Sequence, residues 1–412
     1  ILARTLGVEL LGTWYLLQSI FIYGDAIFRL KAEAGSIYYI GKNRKIAFNI
    51  LSSLHLISLI SLIVLIFFTF LFFDEIFEQI FFSTNSNFIF STYLLLIALT
   101  FSFFVTNTLY FLLALKKYNQ YNLILIIQTF VNLITIILFS LYYKANILIP
   151  VCALISSWFI SFLISIYLTS NNRKINFFIK PKKIKELSYS GIKFYITSFL
   201  KSSRDHLPRL ILGSVSPDIN IVAYFGNMQL IQSLISKLPT AISTLLYTQI
   251  SSYDKIKEDR NNLIIIMKFS VVIIAIISFV IILFADLIVF LLFGEQFSKM
   301  NQIIMIAAPS IIFSSIGIIT KGYLSGKVIL LHQFILKLFQ FSIILLIFNS
   351  ALFLSSQNLG WFIFFSNMLL GVTSIIYLKI YYKFKLTNYL VKFGDIKKIF
   401  VMLSHIIKKL KL

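Results

Sequence analysis

Long apolar runs separated by short polar segments dominate the chain. Such runs cover about Leu10–Leu30, Ile46–Phe73, Phe88–Leu115, Leu123–Tyr143, Ile147–Leu168, Ile221–Ile250, Leu263–Leu292, Ile303–Leu324, Val328–Phe353 and Trp361–Tyr382. Each is long enough to cross a ~30 Å hydrocarbon layer as a helix rising 1.5 Å per residue. An eleventh run, Ser188–Leu212, is apolar but interrupted by charges. The chain opens on Ile1-Leu2-Ala3-Arg4, which reads as the tail of a helix already under way, and Gly7 to Trp14 reads as a short turn. Counting that stub as a truncated first span gives twelve.

The polar segments alternate in charge. Basic loops follow Leu30, Leu115, Leu168, Ile250, Leu324 and Tyr382, whereas the loops between them hold almost no Lys or Arg apart from Lys144 and Lys299. The loop after Phe73 is acidic, with Asp74, Glu75 and Glu78. Short basic loops stay on the cytoplasmic side, which places both termini there. The most basic internal loop carries Arg173, Lys174, Lys180, Lys182, Lys183 and Lys185. It divides the chain into an N-terminal half (1–170), a basic cytoplasmic linker (171–187) and a C-terminal half (188–384). A faint echo links the halves. Gly12-Thr13-Trp14 opens one span and Ala223-Tyr224 another, and each span then carries a charge inside its apolar run, Asp25 and Lys237. The expected fold is all-α, two six-helix bundles around a central cavity. The tail 385–412 differs: Leu390, Phe393, Phe400, Leu403, Ile407 and Leu410 recur mostly at three- and four-residue steps among lysines. It reads as an amphipathic helix lying on the anionic inner leaflet and contacting membrane lipids.

Composition narrows the class. Of 412 residues, 59% are hydrophobic and 13% charged, and mean hydropathy is +0.91, too little polar surface for a soluble domain of this length. The net charge of +22 would suggest nucleic acid in a soluble protein, but here loop topology accounts for most of it and no nucleic-acid partner is expected. The single cysteine, Cys152, has no disulfide partner and packs as a small apolar residue. His55, His206 and His332 have no second ligand at a metal-binding spacing. No nucleotide-binding motif is present, so no cofactor is expected.

The chemistry concentrates in Lys201-Ser-Ser-Arg204-Asp205-His206-Leu-Pro208-Arg209. At 100° per residue, Lys193, Lys201, Arg204, Asp205 and Arg209 share one side of a helix. Asp205 is four residues from both Lys201 and Arg209, so it can pair with either. Lys201 lies ~20 Å along the axis from Ser188, near mid-membrane, where each charge costs about 3 kcal/mol on insertion scales. Such charges persist facing protein or a water-filled cavity, and the cationic excess predicts a cavity for an anion. Lys201, Arg204, Arg209, Lys237 and Arg29 form the candidate substrate-binding set, with Lys321 and Lys337 as possible additions. Asn227, Gln229 and Gln232 are candidate hydrogen-bonding groups for sugars. Asp25 and Asp205 are counter-ions or carriers of a coupling H+ or Na+. For Arg29, an ion pair with Asp25 and snorkelling stand beside substrate contact; snorkelling also fits Lys321. Pro208 and Pro239 are expected to bend their helices.

Several segments resemble polysaccharide flippases. Ile1-Leu-Ala-Arg-Thr-Leu-Gly7 followed by Leu11-Gly-Thr-Trp14 is similar to their opening, and Gly35-Ser-Ile-Tyr-Tyr-Ile-Gly-Lys42 to their first inner loop. Arg204-Asp-His-Leu-Pro-Arg-Leu-Ile-Leu-Gly213, Val222-Ala-Tyr224, Leu238–Ser251 and Leu292-Phe-Gly-Glu-Gln-Phe297 continue the likeness, although Tyr247-Thr248 stands where a Pro is usual. These are the Wzx-type O-antigen flippases of the multidrug/oligosaccharidyl-lipid/polysaccharide (MOP) exporter superfamily. The resemblance implies two six-helix bundles alternating between inward- and outward-open states in the bacterial cytoplasmic membrane. It implies translocation of an undecaprenyl-pyrophosphate-linked oligosaccharide to the outer leaflet, alongside polysaccharide-assembly proteins. Arg offers bidentate pairing to phosphate oxygens, which agrees with the cationic helix. Alternatives stay open. A drug antiporter of the same superfamily would rely on acidic residues. A peptidoglycan-precursor flippase usually has fourteen spans. A polysaccharide polymerase or ligase, the enzyme reading, generally carries a large external loop, and no external loop here is long.

Overall fold

The computed structural model describes residues 1–80, 86–143, 145–170, 181–216, 218–252, 256–326, 334–335, 337–339, 341–342 and 358–382. The described residues hold α1 (Leu2–Phe28), α2 (Ala32–Lys42), α3 (Ala47–Ile80), α4 (Ser86–Ala114), α5 (Tyr118–Tyr142), α6 (Leu148–Ser170), α7 (Pro181–Val215) and α8 (Asn220–Ile235). They continue with α9 (Lys237–Ser252), α10 (Ile256–Leu283), α11 (Ala285–Leu292), α12 (Met300–Ala307), α13 (Ile311–Gly326) and α14 (Leu359–Tyr382), with single 3-10 turns between some of them. No strand occurs among these residues. In hydrocarbon only a helix satisfies every backbone N–H and C=O within one segment. Eight of the described helical segments are long and apolar enough to cross a membrane, and their outward faces are apolar, as at Phe70, which is 89% exposed. This is a multi-pass membrane protein. The run expected over 328–353 and the tail 385–412 lie largely or wholly outside the described residues.

Two local expectations are corrected. The turn expected over Gly7–Trp14 is instead one broken helix, with the break confined to Gly7 at φ 74, ψ −178. Glycine reaches that region without a Cβ clash, so Val8 onward remains helical. The span expected over Ile221–Ile250 is two helices, α8 and α9, separated at Ser236. Pro239 therefore lies in the first turn of α9, where its missing N–H costs little, and begins a helix rather than bending one. Pro208, by contrast, sits inside continuous α7 and removes the hydrogen bond to the Arg204 carbonyl.

The chain divides into two compact units, Ile1–Ala223 and Tyr224–Leu412. The division falls after α7, and residues 181–187, read from sequence as linker, are the first turns of that helix. In the first unit α7 packs along α1, α2 and α3. A core of Leu51, Leu54, Ile40, Leu112, Ile124 and Leu187 joins α2–α5 to α7. Along α6, Ala153, Ser157, Ser161, Ser165 and Thr169 form a buried small-residue face, and α6 packs with α4 and α5. With no hydrophobic drive between helices in lipid, small side chains at close range supply the attraction. In the second unit Leu263, Met267, Ile316, Ile319, Tyr323, Leu324, Tyr377 and Leu378 knit α10, α13 and α14 together. Gln232 donates to Asn367 Oδ1 (2.7 Å), and Asn367 donates to Ser310 (2.9 Å). This ladder ties the end of α8 and the turn before α13 to α14.

Gly191 in α7 tests this packing, because a Cβ there would lie 2.7 Å from the Leu30 carbonyl oxygen and 2.8 Å from Ala32 Cα. Both are backbone atoms, so the helices must separate. Gly191→Ala is expected to destabilise by about 1–3 kcal/mol, read as a lower melting temperature in detergent. An unchanged melting temperature would contradict the close approach of α7 to the α1–α2 corner.

Candidate functional site

Alpha-helices α1 and α7 pack in an antiparallel seam. A Cβ at Gly213 of α7 would lie 2.5 Å from a Leu16 methyl of α1, and one at Gly12 would strike the Ile219 carbonyl oxygen in the turn after α7. Farther along, the Phe199 and Tyr23 rings stand 6.3 Å apart at 85°. Tyr195 donates its hydroxyl to the Ile27 carbonyl at 3.2 Å. Residue numbers rise along α1 as they fall along α7, so this register sets which side chains of the charged helix meet α1.

It brings Arg209 into the seam. Arg209 is only 7% exposed. Its Nη1 donates to Gln18 Oε1 at 3.2 Å, and its Cζ lies 4.9 Å from the centroid of the Tyr15 ring. One turn back, Arg204 donates through Nε to Asp205 Oδ1 at 2.8 Å, with Nη2 at 2.6 Å from the same oxygen; both side chains are 35% exposed. Spacing suggested Lys201 or Arg209 as the partner of Asp205; its carboxylate pairs with the adjacent Arg204. Arg204, Asp205 and Arg209 together carry one net positive charge, placed by one helix beside α1. The side chain of Lys201 lies outside the described residues, although its backbone is part of α7.

The other predicted residues fall elsewhere. Arg29, just past the end of α1, donates from Nη2 to Asp25 Oδ2 at 2.7 Å. Its Nε lies 3.3 Å from Glu33 Oε1, without hydrogen-bond alignment. Lys31 Nζ reaches the same Asp25 oxygen at 3.6 Å. These four charges sum to zero around the α1–α2 corner, which turns at Lys31 with φ 54. Burial, with Arg29 beside it, pulls the Lys31 ammonium below the ordinary lysine range. Asp25 lies seven residues beyond Gln18, about 10 Å along the helix. Lys237 is exposed at the first residue of α9, where the helix dipole disfavours a cation. Asn227, a candidate sugar ligand, is instead 1% exposed and donates to Met300 Sδ at 3.6 Å within the second unit. The amide of Gln232 is engaged by Asn367. Lys321 is exposed near the end of α13. His55 packs against the Phe104 ring, its Nδ1 3.5 Å from Asn107 Nδ2, and Asn107 donates to Ser58 at 2.8 Å.

Sequence reasoning missed four residues. Gln18 and Tyr15 sit in an apolar run and matter only because α7 crosses them. Glu33, 1% exposed, was read as part of a polar loop. Lys268 lies in the first turns of an apolar segment and is 8% exposed; an isolated lysine five residues into a span was the available signal.

No family profile and no curated sequence matches the chain. Solved structures do. An inward-facing multidrug resistance MATE family transporter of the MOP superfamily aligns over 92% of both chains at 16% identity, with a TM-score of 0.74. The lipid II flippase MurJ in an inward closed conformation aligns over 98% of this chain and 88% of its own, at 15% identity and a TM-score of 0.67. A MOP superfamily transporter from Pyrococcus furiosus, described by a reversed polarity of its binding pocket, aligns over 92% and 96% at 15% identity with a TM-score of 0.58. The chain therefore has the MOP transporter fold.

The corner cluster gives a stability prediction. Removing Arg29 leaves the Asp25 and Glu33 carboxylates, 19% and 2% exposed, short of their central cation. Arg29→Met is expected to cost about 3 kcal/mol, read as a lower melting temperature. In a cycle with Asp25→Asn, the two changes together are expected to cost less than their sum. Strict additivity would show that the pair is not coupled.

Proposed function

We propose that the protein is a flippase of the Wzx type. It carries an undecaprenyl-pyrophosphate-linked oligosaccharide, an O-antigen, capsule or exopolysaccharide repeat unit, from the inner to the outer leaflet of the bacterial cytoplasmic membrane by alternating access. The observation that carries this reading is the buried Arg209 guanidinium beside the Arg204–Asp205 pair on the charged helix α7. A pyrophosphate crossing ~30 Å of hydrocarbon uncovered meets a prohibitive desolvation cost. A fixed cationic helix lowers it, and guanidinium suits phosphate oxygens in charge and geometry. Lys201 on the same helix extends the cationic set, and Asp25 and Asp205 take the ion-pair or coupling role, with H+ or Na+ as the driving ion. Both termini lie in the cytoplasm, and polysaccharide-assembly proteins are the expected partners. The role requires binding and movement rather than covalent chemistry, so no enzyme activity is assigned.

A second reading is export of lipid II, supported by the likeness to MurJ; it shares the anionic head group. A drug antiporter is supported by the likeness to MATE transporters, but the buried excess here is cationic.

The test is complementation in bacterial strains lacking their own polysaccharide or lipid II flippase. Wild type is expected to restore surface glycan in a polysaccharide-flippase-null strain, and Arg204→Ala with Arg209→Ala to lower it at least tenfold at equal membrane abundance. Rescue only of the lipid II strain moves the assignment to the second reading. A double variant as active as wild type removes the cationic helix from the substrate path.

A further inference from the structure

The helix pair α8–α9 carries an exposed polar stripe. At about 100° per residue, Ser233, Ser236, Thr240 and Thr244 fall within about 80° of one another, with Gln232 and Lys237 beside them. The register carries across the break, because the Ser236 N–H donates to the Gln232 carbonyl at 2.9 Å and the Thr240 N–H to the Ser236 carbonyl at 3.0 Å. Ser233, Lys237, Thr240 and Thr244 are exposed, and Gln232 and Ser236 are half-buried. The adjoining exposed face is apolar, with Leu230 and Leu234 45% and 50% exposed. Another face packs on α13, where Ser243 donates to the Ile318 carbonyl at 3.0 Å. Lys237 lies midway along the pair, roughly 22–26 Å from either end. An exposed ammonium at that depth requires water or a polar ligand rather than hydrocarbon.

The stripe presents mainly acceptors. Ser233, Thr240 and Thr244 donate their hydroxyl protons back to the Leu230, Ser236 and Thr240 carbonyls at 2.7, 2.7 and 2.9 Å, which leaves their oxygen lone pairs for an outside donor. Gln232 is oriented to the same effect. Its Nε2 donates to Asn367 Oδ1, Asn367 donates to Ser310, and Ser310 donates to the Ala307 carbonyl at 2.6 Å. Among the described residues nothing donates to Gln232 Oε1. A row of acceptors beside one ammonium suits a polyol, which brings both O–H donors and ether oxygens; an anion finds only Lys237.

We propose that the α8–α9 stripe is a saccharide-contact surface. Gln232 Oε1 and the Ser233, Thr240 and Thr244 oxygens accept from sugar hydroxyls, and Lys237 donates to sugar oxygens. Asn367 is a positioning residue that holds the Gln232 amide with its oxygen outward. This rests on the flippase reading and names the groups of the second unit that meet the sugar part of its substrate.

The test is thiol labelling of purified protein in detergent. Cys152, the single cysteine, is replaced by Ala, and single cysteines are placed on the stripe (Ser236→Cys, Thr244→Cys) and on the apolar face (Leu230→Cys, Leu234→Cys). A charged, membrane-impermeant thiol reagent is expected to label the stripe at least tenfold faster. A pool of repeat-unit oligosaccharides released by mild acid from bacterial lipopolysaccharides is expected to slow labelling of Ser236→Cys, and farnesyl pyrophosphate is not. Gln232→Leu is expected to weaken that protection at least fivefold while the rate without sugar stays the same, which shows the fold intact. Asn367→Leu is expected to do likewise, with no further loss in the double variant, since it acts through Gln232. Labelling of the stripe no faster than of the leucine positions overturns the proposal. Fast labelling that no oligosaccharide slows leaves a water-lined face only, and protection that survives Gln232→Leu removes the named contact; either also overturns it. If a polysaccharide-flippase-null strain is rescued without any protection, the flippase reading stands and this surface falls. If the oligosaccharides protect through Gln232 and no strain is rescued, the surface stands and the flippase reading fails.

Discussion

The cost of holding charge away from water in an apolar helix organises much of what is distinctive in the first unit. Alpha-helix α7 carries more charge than any of the eight segments suited to cross a membrane and is not among them. It persists because α1, α2 and α3 cover it and because each described arginine on it has a defined environment. Arg204 has a carboxylate; Arg209 has a dipole and an aromatic face.

The same economy of charge appears at the α1–α2 corner with the opposite outcome. Asp25, Arg29, Lys31 and Glu33 gather in a few residues of chain and cancel. Such a cluster suits a fixed corner, and α7 closes over it where Gly191 meets Leu30 and Ala32. One helix, α7, thus meets α1 both near its charged corner, where Gly191 approaches Leu30 and Ala32, and nearer its middle, where Arg209 donates to Gln18. Among the described residues of the second unit, uncharged contacts are prominent. Its breaks at Ser236 and around Pro309 are joined through the uncharged ladder of Gln232, Asn367 and Ser310, and close glycine contacts at Gly317, Gly322, Gly360 and Gly371 bring its helices together.

A fold shared with MATE transporters and with the lipid II flippase MurJ at 14–16% identity is carried by helix packing and leaves most side chains free to differ. The scaffold determines where helices run; the charges along α1 and α7 belong to the side chains of this chain. That the fold accommodates pockets of different polarity is consistent with the description of the Pyrococcus furiosus transporter.

The amino-acid sequence by itself determined the class, because hydrocarbon enforces helices and a run of about 20 apolar residues is sufficient to identify one. Several spans, such as those over 88–115, 147–168 and 361–382, were legible to within a few residues, and the charged helix stood out, since Lys, Arg and Asp in an apolar run need no contact map. The i,i+4 pairing of Asp25 with Arg29 was legible for the same local reason. What sequence spacing did not decide was any choice among nearby partners. Spacing offered Asp205 two partners four residues away, Lys201 and Arg209, and the structure shows it paired with the adjacent Arg204 as well. Whether α8 and α9 form one helix, whether Asn227 faces a ligand or the core, and which residues of α1 meet Arg209 depend on contacts between segments far apart in the chain. Gln18 and Arg209 are 191 residues apart, and an isolated Gln in an apolar run carries no mark of its partner. Only the antiparallel register of α1 and α7, set by close glycine contacts, brings them together.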